Sequence, residues 1–298
     1  MRSPVLVASD LDRTLIYSRA ATGLDGPVGA TPAPPRGVTE LRCVEVFEGG
    51  PLSFMSEPAA QSLAALAAEC TFVPVTTRTV AQLRRVQLPV PAPASGDGYA
   101  VAANGGVLLH DGEPDADWAA RVAVAIGGSQ PHHRVWAELQ ELAGRDWVLK
   151  LRSAEDLFCY AVLDRGAVPA DFIAETTAWA SRLGWRTSLQ GRKLYWVPDA
   201  LTKRAAVAEV ARRRGSELVL AAGDSLLDID LLEGADRGIR PAHGELDEQG
   251  WSAPHVEVTR ARGVAAGAEI LEWFREGVAS HCGEAAPRLA SGVSLPIR

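Results

Sequence analysis

The stretch that most limits how this chain can fold is Val5-Leu6-Val7-Ala8-Ser9-Asp10-Leu11-Asp12-Arg13-Thr14, an apolar run that breaks into two carboxylates and a threonine. A continuous apolar run of this length reads as a buried parallel strand, covered on both faces. In open α/β sheets ligands gather at the carboxyl ends of the strands. Asp10 and Asp12 fall at such an end, and a strand period of two turns both the same way. Two acids so placed repel each other and need a cation, a proton or a shared substrate.

With 298 residues, the chain has room for two domains or for one core with a large insertion. Its net charge of −7 argues against general binding to nucleic acid or a membrane surface, which call for a basic face. An anionic substrate would have to be met by local positive charge. Cys43, Cys70, Cys159 and Cys282 are far apart and form no CxxC pair, so free thiols in a reducing compartment are expected. The N-terminal apolar run is too short for a secretory signal, and no run approaches the roughly 20 apolar residues of a membrane span. The expectation is a soluble cytoplasmic protein.

Further along, residues 19 to 39 are rich in Ala, Gly and Pro and read as an irregular excursion. Residues 43 to 55 alternate in and out around Gly49-Gly50 and predict a β-hairpin that could cover the acidic strand end. A helix over 57–69 leads into a second buried strand, Thr71 to Thr76, and then a helix through about Val86. A Pro-rich loop from Pro89 to Pro93 precedes a strand, the turn Asn104-Gly105-Gly106 and a second strand ending near Leu109. Between about 112 and 198 the order becomes helices, two strands, helix, two strands, an α+β module with an antiparallel sheet. The alternating pattern resumes with a helix over 202–214, a third buried strand over 217–223, a short helix to Glu233, a strand near 238–240 and a helix over 264–275.

Four local signals lie at the ends of these elements. Asp10 and Asp12 are the first. Thr76 is the second, where a hydroxyl and the first N–H groups of the following helix could bind a phosphate oxygen. Lys203, just after the N-cap Thr202, places a cation against the helix macrodipole and so suits neighbouring anions. Asp224 and Asp228, four apart, repel on one helix face unless something compensates. Asp10, Asp12, Asp224 and Asp228 together suit a hard, oxygen-loving ion such as Mg²⁺. No HExxH, GxSxG, GxGxxG or GxxxxGK pattern occurs.

In that order, Asp-x-Asp-x-Thr, a strand ending in Thr, Lys, and Gly-Asp-x-x-x-Asp, the chain resembles the haloacid dehalogenase superfamily of phosphohydrolases over nearly its whole length. The insert looks like the αββαββ cap of the Cof-type branch, which is similar to sucrose-phosphate and mannosyl-phosphoglycerate phosphatases, and Asn104-Gly105 resembles that branch's turn before the cap. The resemblance implies a Rossmann-like, doubly wound parallel sheet from residues 1–110 and 200–277, a cap over 111–199 and a flexible tail over 278–298. It also implies a Mg²⁺-dependent phosphatase acting on a small phosphorylated metabolite, such as a sugar phosphate, as a monomer or homodimer.

The implied roles are Asp10 as nucleophile forming an aspartyl-phosphate, Asp12 as acid and then base, and Thr76 and Lys203 as holders of the phosphoryl oxygens. Mg²⁺ would lie on Asp10, the backbone carbonyl of Asp12, and Asp224, with Asp228 supporting the metal or orienting Lys203. Thr14, Thr77, Arg78 and Asn104 are candidate substrate contacts beside these motifs, as are Arg192 and Lys193 on the cap, where Lys150 and Arg152 complete a basic edge. Arg13 and Thr77 stand where the family commonly has Gly, which puts the substrate range in question. A phosphomutase or phosphotransferase using the same aspartate, and a non-catalytic metabolite sensor on the same fold, remain open.

Overall fold

A computed structural model of the chain describes residues 4–22, 40–90 and 98–284. Most of the excursion expected over 19–39, part of the Pro-rich loop and residues 285–298 lie outside the described residues. The strand Val5–Asp10 is buried along its whole length, as the unbroken apolar run predicts. It pairs in parallel with Thr71–Val75 on one side and Leu218–Ala222 on the other. Parallel pairing continues outward to Tyr99–Ala102 in one direction, and to Arg237–Arg240 and then Val256–Val258 in the other. The antiparallel strands Val107–His110 and Glu113–Pro114 finish this eight-stranded sheet. The chain leaves its first strand to one side and returns on the other, so Val5–Asp10 borders the point where strand order reverses. That is a doubly wound α/β sheet.

Strand alternation divides the core. Val5 and Val7 pack with Leu63, Ile270 and Phe274 from helices Glu57–Glu69 and Val264–Glu284. Leu6 and Ala8 face the other way, into the cluster that holds Ala206, Val207 and Val210 from helix Lys203–Arg214. Burying both faces explains why the strand has no polar residue before Ser9.

Within the insert, strands Val148–Ala154, Phe158–Leu163, Trp185–Gln190 and Lys193–Pro198 form a separate antiparallel sheet. Helices Ala116–Ala125, His132–Leu139 and Phe172–Arg182 accompany it, so the expected order of helices, two strands, helix, two strands is present. One face of this sheet packs on its helices, with the Trp196 indole N–H donating to Thr176 Oγ1 at 2.8 Å. The other face, bearing Tyr160 and Tyr195, turns toward the main sheet, where Gln82 Nε2 donates to the Tyr160 hydroxyl at 3.4 Å. Glu245 ties the two parts together: it accepts from Ser188 Oγ at 2.6 Å and Leu189 N at 2.7 Å in the insert, and from Leu226 N at 3.0 Å.

The predicted hairpin is present as Leu41–Phe47 and Gly50–Ser56, joined by Tyr17–Ser18 into a three-stranded sheet. Its register shifts on both sides of Glu45. The helix expected through Val86 is only Val80–Leu83, because the following residues are drawn onto the hairpin: Val86 bridges Glu45, and Gln87 N donates to Val44 O at 2.7 Å. The last helix runs to Glu284 rather than 275, and Val278 is buried. Residues 278–284 are therefore helical where a loose tail is expected. Gly277 does not end the helix because it packs close to the sheet, where an added Cβ would come within 2.8 Å of Leu220 Cδ1. The four cysteines are free. Among the described residues no helix is long and apolar enough to cross a membrane.

The Asn104-Gly105-Gly106 turn packs against the start of helix Lys203–Arg214. Gly105 has φ of 94°, and a Cβ there would sit 2.0 Å from the Thr202 carbonyl oxygen. Gly105→Ala therefore combines left-handed strain, about 1–3 kcal/mol by itself, with a backbone clash. It should lower stability by at least that amount in urea denaturation followed by circular dichroism. A surface substitution such as Gly112→Ala, where φ is 83° but nothing lies within 4 Å, should show only the strain.

Candidate active site

Three strand ends meet at the reversal point: Asp10 closes its own strand, Thr76 follows Val75, and Asp224 follows Ala222 by two residues. Lys203 reaches them from the first turn of its helix, behind Thr202, whose Oγ1 accepts from Ala205 N at 3.2 Å. The lysine is completely buried, with Nζ 2.6 Å from Asp10 Oδ1 and 2.5 Å from Asp228 Oδ1. Burial pulls its pKa down, but attraction to Asp10 and Asp228 outweighs this and holds it well above the ordinary value. Two carboxylates offset both the burial of this cation and its unfavourable position in the helix dipole.

Asp10 is pushed up to about 7, chiefly by burial; Lys203 opposes the shift, while Asp228 and Asp12 add to it. Thr14 donates to Asp10 Oδ2 at 3.2 Å. Asp228 is fully satisfied: besides Lys203, its Oδ2 accepts from Asp224 N, Ser225 N and Ser225 Oγ at 3.1, 2.9 and 2.7 Å. Glycine is required at 223 because a Cβ there would lie 2.4 Å from that of Asp228.

Asp224 differs. Its carboxylate accepts no hydrogen bond among the described residues, and the nearest cation is Arg13 Nε at 3.7 Å from Oδ2. Burial, with Asp10 and Asp228 beside it, raises its pKa well above the usual range. Asp10, Asp224 and Asp228 bring carboxylate oxygens within 4.8 Å of one another. With all three ionised, the carboxylates outnumber the two cations beside them, Lys203 and Arg13, and leave one excess negative charge, and the oxygen-only donor set suits a hard divalent cation. The residues fit such an ion.

Asp12 follows a different rule from the strand period. The strand stops at Asp10, and Asp12 lies in a turn knitted by Thr14, Leu15 and Ile16 amides donating to Leu11 O. Its carboxylate is gripped by Arg78, with Nε to Oδ2 at 2.7 Å and Nη2 to Oδ1 at 2.8 Å. Burial favours the neutral acid, but Arg78 overrides it and lowers the Asp12 pKa to about 2. Arg13, next in the turn, has φ of 64°, a left-handed conformation that glycine adopts more easily.

Thr76 is buried, and its Oγ1 accepts from Arg78 N at 3.1 Å. At the start of the short helix after it, Thr79 N donates to Gln82 Oε1 at 3.0 Å, Val80 N to Glu155 Oε1 at 2.8 Å and Gln82 N to Thr79 Oγ1 at 3.2 Å. Of the N–H groups expected to bind phosphate, those of Thr79 and Val80 are already used by neighbouring side chains. Thr77 is buried beside Thr76. Asn104, in the left-handed region with φ of 55°, donates Nδ2 to Leu201 O at 2.9 Å and leaves Oδ1 without a partner. Lys193 stands on the insert face toward the site, where Tyr195 above all, and then Asp12, raise its pKa. Arg192 is not brought in; it sits in the exposed turn between two strands, and its carbonyl accepts from Leu163 N at 2.8 Å. Sequence reasoning missed Glu45, Ser53 and Glu245, buried polar residues on a hairpin and a short helix where no motif marks them.

The raised pKa of Asp10 has a stability consequence. Between the ordinary carboxylate value, 3.8, and about 7, the folded protein holds a proton that the unfolded chain has released. Stability in the absence of divalent cations should fall as pH rises through that window. Thermal midpoints of the cation-free protein from pH 4 to pH 7.5 should decline, and Asp10→Asn should flatten the decline.

No protein-family model matches the sequence, and no curated protein sequence matches it significantly. Solved structures do match the fold. A sucrose-phosphatase from Synechocystis sp., solved with sucrose and phosphate, superposes with a TM-score of 0.58 at 17% identity, over 92% of this chain and 99% of that one. The C-terminal domain of a trehalose-6-phosphate phosphatase from C. albicans gives 0.57 at 12% identity, over 91% and 92%. A sugar phosphatase of HAD subclass IIB gives 0.56 at 13% identity, over 92% and 99%. The chain therefore has the fold of these phosphatases over nearly its whole described length, the inserted antiparallel sheet included.

Proposed function

We propose that this protein is a Mg²⁺-dependent phosphatase of the haloacid dehalogenase superfamily that hydrolyses a small phosphorylated metabolite, in the sugar-phosphate class. The observation that carries the reading is the convergence of Asp10, Thr76, Lys203 and Asp224 from four separate segments on one buried point with excess negative charge. The fold is that of proteins described as sucrose-, trehalose-6-phosphate and sugar phosphatases, which supports the substrate class.

In the first half-reaction an Asp10 oxygen attacks phosphorus, the bond to the leaving oxygen breaks, and Asp12 gives that oxygen a proton. In the second, Asp12 takes a proton from water, the hydroxide attacks phosphorus, and the Asp10–phosphorus bond breaks to free phosphate. Lys203 and Thr76 hold the phosphoryl oxygens. Lys203 also keeps the Asp10 carboxylate available at neutral pH against the effect of burial. Arg78 stabilises Asp12 as the anion, the form that activates water, and the negative charge of an arriving phosphate opposes that pull and favours protonation. Mg²⁺, held by Asp10, Asp224 and the backbone carbonyl of Asp12, would neutralise charge on the transferring phosphoryl group.

Screening phosphorylated sugars and three-carbon phosphates for phosphate release should reveal turnover that chelation abolishes. Asp10→Asn should lower kcat by at least about a thousandfold, as loss of a covalent nucleophile does. Mg²⁺ should raise the thermal midpoint of the wild type at pH 7.5 but not that of Asp224→Ala. Release of phosphate to water, rather than its transfer to an added sugar, separates a phosphatase from a phosphotransferase. Binding of one of these ligands without turnover would instead mark a sensor.

A further inference from the structure

The Arg78 guanidinium is spent inside the protein. Besides its two bonds to Asp12, Nη1 donates to Glu45 Oε2 at 2.7 Å and Nη2 to Ser53 Oγ at 3.2 Å. Four of the five N–H groups that an arginine carries are thus engaged, which leaves little with which to bind substrate. Glu45 is itself fixed on every side. Its carboxylate is fully buried, accepts from Ser53 Oγ at 2.6 Å and from Arg85 Nε at 3.2 Å, and belongs to a backbone bridge with Val86. The irregular register around Glu45 explains how it reaches inward: Val44 and Glu45, neighbours in one strand, are both buried. The four charges, two carboxylates and two guanidiniums, balance.

Asp12 needs this support. It lies in a turn, its side chain is 36% exposed, and its only charged hydrogen-bond partner among the described residues is Arg78. A paired guanidinium fixes the plane of a carboxylate as well as its place, and proton transfer depends on that geometry.

We propose that Glu45 on the hairpin is a positioning residue for Asp12, acting through Arg78, so that the hairpin aims the group that protonates the leaving oxygen. The inference rests on the phosphatase reading, and its signature is a selective loss on poor leaving groups. Nitrophenolate departs without a proton, whereas phenolate and benzyl alkoxide depart progressively less well.

The test compares kcat and KM on p-nitrophenyl, phenyl and benzyl phosphate for wild type, Glu45→Ala, Glu45→Gln and Ser53→Ala, all with Mg²⁺. Glu45→Ala should lower kcat/KM, which reports departure of the leaving group and not the later hydrolysis of the aspartyl-phosphate, by about 10- to 100-fold on benzyl phosphate, the scale of a misplacement near 1 Å, with kcat/KM on p-nitrophenyl phosphate within about threefold of wild type. Glu45→Gln, which keeps the shape and one acceptor, should recover part of the loss. Ser53→Ala removes one of Glu45's partners with little change in volume and should show the same selectivity, smaller, even where Glu45→Ala does not fold. Equal losses of kcat/KM on all three substrates, or no loss on any, would overturn the assignment while leaving the phosphatase reading intact. Absence of wild-type turnover on all three, and on the metabolite screen, would overturn the phosphatase reading and this assignment with it.

Discussion

A buried ammonium between two carboxylates governs this architecture. Lys203 is the largest charged group with no exposure to solvent, and a lone buried cation of that kind costs several kcal/mol. It is tolerable only where Asp10, at the end of the first strand, and Asp228, in the turn that follows strand Leu218–Ala222, are brought to it from segments far apart in the sequence. The order of the parallel sheet, with Leu218–Ala222 directly beside Val5–Asp10, accomplishes that. The fold and the site are in this sense one constraint. The sheet order places the acids, and the acids make the buried lysine possible.

The remaining polar groups divide by whether the protein itself satisfies them. Asp228 and Glu45 are saturated with hydrogen bonds and act as fixtures. Asp224 is not, and Asn104 keeps an unpartnered oxygen. Unsatisfied polar groups are rare in buried positions and mark places where something from outside is expected. Asp224 lies beside Asp10, and Asn104 donates its backbone amide to the Thr76 carbonyl at 2.9 Å, which agrees with the reading of the site as one that receives an ion and an anionic ligand.

Much of this was legible in the sequence because it depends on contiguous patterns. Buried parallel strands are apolar runs, and the acids at their ends announce themselves by interrupting those runs, as at Asp10, Asp12 and Asp224. The alternation of elements through the insert was equally readable. What escaped was settled by tertiary contact. Whether Val86 is helical depends on a hairpin strand forty residues earlier. That Glu45 is buried at all depends on a bulge that alternation cannot register. The aim of Asp12 depends on Arg78, sixty-six residues away. Nor could helical periodicity find the end of the last helix, because Gly277, ordinarily a breaker, is there a spacer against Leu220.

Among the described residues Glu245 joins the insert to the main sheet with a carboxylate that makes no ion pair and accepts only from a serine hydroxyl and two backbone amides. Pulling the insert away removes two of these three donors in a single movement. A stripped carboxylate must find water at once, since an unsolvated anion is far costlier than a broken hydrogen bond. The third donor, Leu226, lies between Asp224 and Asp228. The carboxylate that joins the insert to the main sheet thus also pins the loop that carries both acids.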